Sequence, residues 1–192
     1  MTQLWFVRHG PTHAKSFVGW RDIPADLSDL AAVARLDAAL PADAVLVSSD
    51  LIRCVATADA VAGTRRRVPH DAGLREFDFG DWDGRNWSDV AATDPDLSRR
   101  YWEDPGDVAP PGGESWNAAA TRVSQAVDRL VAAHSGQHIV IVAHFGAILT
   151  QVRRASGQSA YDTLAQKIDN LSVTQIEAAP DGWVLHSVNR TA

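Results

Sequence analysis

The sequence predicts an α/β fold: a single three-layer α/β/α domain over residues 1–192, with a mostly parallel central sheet and an antiparallel hairpin at its edge. Three observations predict it. Short apolar runs alternate with longer amphipathic stretches, the pattern of strands and helices taking turns. The run Ile139-Val140-Ile141-Val142-Ala143 is apolar without a break, as a strand buried on both faces must be. A chain of 192 residues, 45% hydrophobic and 22% charged, fits one compact core, and no repeat, linker or low-complexity segment divides it.

The elements follow in chain order. Residues 4–7 read as a buried strand that ends abruptly in Arg8-His9-Gly10, and residues 44–47 as a second that ends in Ser48-Ser49-Asp50. Residues 27–40 and 51–62 read as alanine-rich helices, the second with Ser48, Ser49 or Asp50 available as its cap. Arg65-Arg66-Arg67 reads as an exposed face before a strand. The loop Pro110-Pro111-Gly112-Gly113 stops what precedes it, and residues 115–133 then carry a helical apolar stripe through Ala119, Val123, Val127, Leu130 and Val131. The strand at 139–143 ends at His144. Two alternating segments, 172–177 and 183–188, joined by Pro180-Asp181-Gly182, read as the edge hairpin. Of the seven tryptophans, Trp5 is assigned to the core, and Trp20, Trp82 and Trp102 to loops placed to line a pocket.

Charge and cysteine content narrow the function. A net charge of −6 and a pI near 5.5 do not suit a surface built to neutralise nucleic-acid phosphates or an anionic membrane. The lone Cys54 admits no internal disulfide, no apolar run approaches membrane-spanning length, and the start MTQ lacks a signal pattern. The expectation is a soluble cytoplasmic protein without nucleic-acid or membrane partners. The edge hairpin leaves a homodimer open.

Two strands share one design, an apolar run followed by a histidine. Ligands of open α/β sheets bind beyond the carboxyl ends of parallel strands, where helix N-termini present free N–H groups, so His9 and His144 are expected to face one crevice. Arg53, from the helix after the second strand, reaches the same rim. Two guanidiniums and two imidazoles suit a phosphoryl group: arginine matches phosphate oxygens with a planar fork, and a histidine held at one ring nitrogen can attack phosphorus through the other. Gly10 permits close backbone approach. The leaving alcohol needs a proton, and the aromatic-rich segment Leu74-Arg75-Glu76-Phe77-Asp78-Phe79-Gly80-Asp81-Trp82-Asp83-Gly84 offers desolvated carboxylates, among which Glu76, Asp78 and Asp81 are not separated by the residues alone. His13, His70, His134, His138 and His186 read as structural or solvated.

These residues carry a family resemblance. Arg8-His9-Gly10-Pro11-Thr12 resembles the RHG-x-T signature of the histidine phosphatase superfamily, in its phosphoglycerate mutase-like branch with the small α-ribazole phosphatases. Phe17-Val18-Gly19-Trp20-Arg21-Asp22 resembles the loop after that signature, and Ser48-Ser49-Asp50-Leu51-Ile52-Arg53-Cys54 the segment bearing the second phosphate-binding arginine. Residues 74–84 are similar to L-x-E-x-x-x-G-x-W-x-G, Pro111-Gly112-Gly113-Glu114-Ser115 to P-x-G-E-S, and Ala143-His144-Phe145-Gly146 stands where the family has its second histidine. Six ordered matches are far more specific than one tripeptide.

The resemblance implies a phosphoglycerate mutase-like fold and a metal-independent phosphomonoesterase with no cofactor, acting on a small phosphorylated metabolite. It implies His9 as nucleophile, Glu76 as acid, and Arg8, Arg53 and His144 on the equatorial oxygens. It further implies Gly10, Thr12, Lys15, Gly19, Trp20, Arg21 and Phe145 as the substrate-binding residues. Three positions depart from the family pattern: Lys15 where asparagine is common, Phe145 where glycine is common, and Pro11 where glutamate or glutamine is frequent. The runner-up is a mutase, disfavoured because the segment after Glu76 lacks the arginine-histidine-tyrosine continuation of mutases. A non-catalytic phospholigand-binding module would lack the nucleophile or the acid, and a metal-dependent hydrolase would need a histidine pair at ligand spacing.

Overall fold

In a computed structural model that describes residues 1–191, six strands form one sheet in the order β3-β2-β4-β1-β5-β6. Strands β1 (Thr2–Arg8), β2 (Val45–Ser48), β3 (Arg66–Arg67) and β4 (His138–Ala143) are parallel, and β5 (Val173–Ala179) and β6 (Gly182–Arg190) form the antiparallel hairpin, β5 pairing with β1. Period-two alternation sends the strand residues into two cores. Leu4, Phe6, Ile139 and Ile141 join one, beneath α5 (Trp116–Ala133) and α6 (Phe145–Ser156). Val7, Leu46, Val140 and Val142 join the other, beneath α1 (Leu30–Ala39) and α2 (Ile52–Ala60). The result is the three-layer α/β fold expected, with β4 buried along nearly its whole length.

Local chemistry sets the helix ends. Asp29 caps α1, its carboxylate accepting from Ala32 N at 2.9 Å, so the helix starts at Leu30 rather than at residue 27. Ser115 caps α5. For α2 none of Ser48, Ser49 and Asp50 is the cap; the Ile52 N–H donates instead to Asp22 Oδ1 at 2.7 Å, a partner 30 residues away. At α6 the cap also comes from a distance: the amides of Gly146 and Ala147 donate to the Glu76 carboxylate at 3.1 and 3.3 Å.

Three sequence expectations need correction. The arginine run is not one exposed face: Arg65 is buried, bonded to Asp37 and to the carbonyls of Pro41 (2.9 Å) and Leu40 (2.8 Å), and Arg66–Arg67 are themselves the edge strand β3. Trp5 is half-buried, its indole donating to His138 Nδ1 at 3.2 Å. Trp82 is fully buried, and Trp102 lies on a helix rather than a loop. That helix, α4 (Pro95–Glu103), follows α3 (Trp87–Thr93) over the sheet's carboxyl edge, and the short α7 (Ala160–Leu164) lies near it. Pro95 at the first helical position marks the start of α4, a signal present in the sequence. Among the described residues no helix is long and apolar enough to cross a membrane.

Candidate active site

Sheet register builds the site. Arg8 on β1 pairs with Ala143 on β4, and Ser48 on β2 pairs with Val142, so the three central strands end in one row. The next residues, His9, His144 and Ser49, are therefore neighbours: His9 N donates to Ala143 O at 3.1 Å and Ser49 N to Val142 O at 3.0 Å. The His9 and His144 rings meet edge to face with centroids 5.1 Å apart.

His9 is 6% exposed, and among the described residues its ring is held at one nitrogen. Its Nδ1 lies 2.7 Å from Gly10 O; a carbonyl only accepts, so Nδ1 carries the proton and Nε2 the lone pair. Burial, and then the positive charge of Arg53, lower its pKa to about 3, which leaves the imidazole neutral at ordinary pH. Its backbone is fixed on both sides, Asn170 Nδ2 donating to His9 O at 2.8 Å and Gly10 N to Thr57 Oγ1 at 3.0 Å. A cavity of about 530 Å³ opens in front, walled by Arg8, His9, Thr12, Glu76 and Phe145 among others. Arg8 donates through Nη1 to Ile168 O at 2.6 Å, while its Nε is buried with no partner among the described residues. An unpartnered guanidinium N–H beside the cavity is suited to an anionic oxygen.

Arg53 and His144 are brought to His9, but both are fully buried and neither is part of the cavity wall. The Arg53 fork is occupied: Nη1 donates to Arg21 O at 3.0 Å, Nη2 to Gly19 O at 2.6 Å, and Nε to His144 Nδ1 at 3.2 Å. That last bond fixes the His144 tautomer, with Nε2–H facing Ser49 Oγ at 3.0 Å. Burial first, and then Arg53 and His9, lower the His144 pKa well below the ordinary value, so it too is neutral. Arg53 thus lays its charge beneath both imidazoles.

Glu76 occupies the N-terminus of α6. Its oxygens accept from the amides of Phe77 (3.0 Å), Gly146 and Ala147, yet burial outweighs these bonds and its pKa is raised. Neither Asp78 nor Asp81 is in the cavity wall; Asp78 instead accepts from Gly80 N at 2.9 Å. Geometry therefore separates the three carboxylates. Gly146 makes this placement feasible, since a Cβ there would stand 2.5 Å from Glu76 Oε1 and 3.0 Å from the Phe77 ring. Gly146→Ala is accordingly expected to push the carboxylate off the helix end and lower kcat by about tenfold or more, with KM little changed, as steady-state kinetics will show.

The remaining predicted binding residues divide. Thr12 and Phe145 line the cavity, and the Arg8 guanidinium lies 5.6 Å from the Phe145 ring centroid. Gly10 packs toward Leu27, and Gly19 serves through its carbonyl on Arg53. Lys15 is exposed, Arg21 faces Asp83 and Ser16, and Trp20 lies between the guanidiniums of Arg75 and Arg122 with its indole donating to Glu76 O at 2.8 Å. None of these last five is in the cavity wall. Sequence reasoning missed Arg122, which donates to Glu76 O at 3.0 Å, to the carbonyls of Gly73 and Arg75, and to Glu114 Oε2 at 2.6 Å. It also missed Ser49 and Trp87. The partner Glu114 lies just before α5 in the quoted P-x-G-E-S segment, eight residues ahead of Arg122.

Residues 4–191 match the sequence model of the histidine phosphatase superfamily (branch 1). The chain belongs to that family. This histidine phosphatase superfamily member is 31% identical over 193 residues to the bifunctional protein Rv2228c of Mycobacterium tuberculosis, covering 92% of this chain and 51% of that protein. It thus spans about half the length of the first curated relatives it matches. It is 36% identical over 159 residues to the glucosyl-3-phosphoglycerate phosphatase of Mycolicibacterium vanbaalenii, covering 76% of this chain and 70% of that one. Among solved structures, YhfR of Bacillus stearothermophilus superposes with a TM-score of 0.87 at 28% identity, covering 100% of this chain and 97% of the other. The phosphoglycerate mutase-like architecture of the superfamily member is consistent with its mostly parallel sheet and edge hairpin.

Proposed function

We propose that this chain is a phosphomonoesterase that cleaves a small phosphorylated metabolite through a phosphohistidine on His9. The observation that carries the reading is the ring of His9: proton fixed on Nδ1 by Gly10 O, Nε2 free, and Glu76 in the wall of the same cavity. In the first step the Nε2 lone pair forms the N–P bond, the P–O bond to the alcohol breaks, and Glu76 gives that oxygen its proton. In the second, water adds to phosphorus, its proton passes to the Glu76 carboxylate, and the N–P bond breaks to free inorganic phosphate and the neutral imidazole. Arg8 meets the phosphoryl oxygens directly, while Arg53, buried under His9 and His144, stabilises negative charge gathering on them through the field it sets up in a poorly solvated site. Phosphoryl transfer asks mainly for such positioning and charge.

All groups in this scheme are side chains of the chain itself. Turnover of p-nitrophenyl phosphate is therefore expected to persist at full rate after dialysis against EDTA. Loss of activity on chelation, restored by a divalent cation, would overturn the scheme.

A further inference from the structure

The cavity before His9 is chemically two-sided. Its fixed charges are confined to Arg8 and Glu76, with Phe145 beside Arg8, and Val18, Phe79, Trp87, Trp102 and Leu164 supply apolar wall. This wall is built rather than incidental. Phe17 is its hub, with the rings of Phe79 and Trp87 at 5.0 and 5.1 Å and that of Trp102 stacked at 6.1 Å with an interplanar angle of 10°. Helices α3 and α4 carry Trp87 and Trp102 to it. Trp87 remains 59% exposed, a large indole held at the mouth with most of its surface unburied by its own chain. The cations expected at the rim do not line the cavity: Lys15 is exposed between the lining residues Ala14 and Ser16, and Arg21 is engaged by Asp83 and Ser16.

We infer, on the basis of the phosphomonoesterase reading, that the alcohol half of the substrate is uncharged and apolar, aromatic by preference, and that a second anionic group is selected against. A ring lying along the indoles gains hydrophobic burial and stacking. A carboxylate or second phosphate against these rings loses its water and meets no second cation among the lining residues, because Arg8 is committed to the transferred phosphoryl group. At about 530 Å³ the cavity is of the size that encloses small organic ligands, with room for a ring system beside the phosphoryl group.

The test compares 2-phenylethyl phosphate, glycerol 3-phosphate and 3-phosphoglycerate, all alkyl monoesters, so that leaving-group reactivity does not imitate specificity. The expected kcat/KM is at least about tenfold higher for 2-phenylethyl phosphate than for glycerol 3-phosphate, with 3-phosphoglycerate lower again. Trp87→Ala, at an exposed site where folding is not at stake, should compress the first ratio by about tenfold, mainly through KM for the aromatic ester. Equal kcat/KM across the three, a preference for 3-phosphoglycerate, or an unaltered ratio in the variant would overturn the inference and leave the phosphatase reading standing. Failure to hydrolyse any of them, or p-nitrophenyl phosphate, would overturn both.

Discussion

His9→Ala is expected to lower kcat on p-nitrophenyl phosphate by about 10⁴-fold or more, because covalent catalysis has no second route once its nucleophile is gone. The loss should be chemical and not structural. His9 makes one side-chain hydrogen bond, to its own neighbour Gly10, and its ring contributes nothing to the sheet ladder, which runs through the backbone of Arg8 and His9. Far-ultraviolet circular dichroism should therefore be unchanged, and the stability cost limited to about 1–2 kcal/mol for the stranded carbonyl and the small void. A second readout separates nucleophile from bystander. Wild-type protein quenched during turnover should carry a phosphoryl group that is stable in base and lost in acid, as a phosphoramidate is, and the variant should carry none. A variant that retained wild-type kcat, or a trapped acid-stable phosphoester, would remove His9 from the mechanism.

What could be read from the sequence about this site was local, and what could not was tertiary. An apolar run that stops at Arg8-His9 and another that stops at His144 are visible as patterns, because a buried strand has no use for those residues except at its end. That β1 and β4 are adjacent and in a register that seats the two histidines side by side is a property of the sheet order, which no strand encodes alone. The direction of Arg53 was similarly hidden. Its position on α2 placed it near the rim, but its fork is drawn inward by the carbonyls of Gly19 and Arg21, so it acts beneath the imidazoles instead of across the cavity. The cap of α2 by Asp22 and the hold of Arg122 on the Glu76 backbone are long-range pairings of the same kind. Helices α3 and α4 escaped notice because each is short, seven and nine residues, too few turns to repeat an apolar stripe, and two of their aromatics, Trp87 and Trp102, face the cavity. Trp20 shows the converse error: an aromatic in a motif loop was assigned to the ligand, whereas it packs between Arg75 and Arg122.

Glu76→Gln is expected to lower kcat/KM, which reports the steps through departure of the alcohol, by about 10²- to 10³-fold for alkyl phosphates, the range of a lost general acid, and far less for p-nitrophenyl phosphate, since p-nitrophenolate departs without a proton. The pH profile of kcat/KM should change in one limb only. In the wild type, His9 is a free base above about pH 3, so the nucleophile is in its reactive form across the working range. Glu76 must be protonated to act, and burial raises its pKa above that of an ordinary carboxyl; activity on alkyl esters should therefore fall as pH rises through that raised value. Glutamine has nothing to ionise, and the alkaline fall should flatten. The substitution has a structural cost that can be anticipated. Both carboxyl oxygens accept amides, Oε1 from Phe77 and Ala147 and Oε2 from Gly146, and an amide side chain offers only one acceptor to that set. A protonated carboxyl keeps acceptor capacity on both oxygens while holding its proton, which is the chemical reason a glutamic acid suits the end of α6 where an amide does not. Equal losses of kcat/KM for alkyl and p-nitrophenyl esters would instead assign Glu76 to holding the helix end, with the leaving oxygen protonated by some other group.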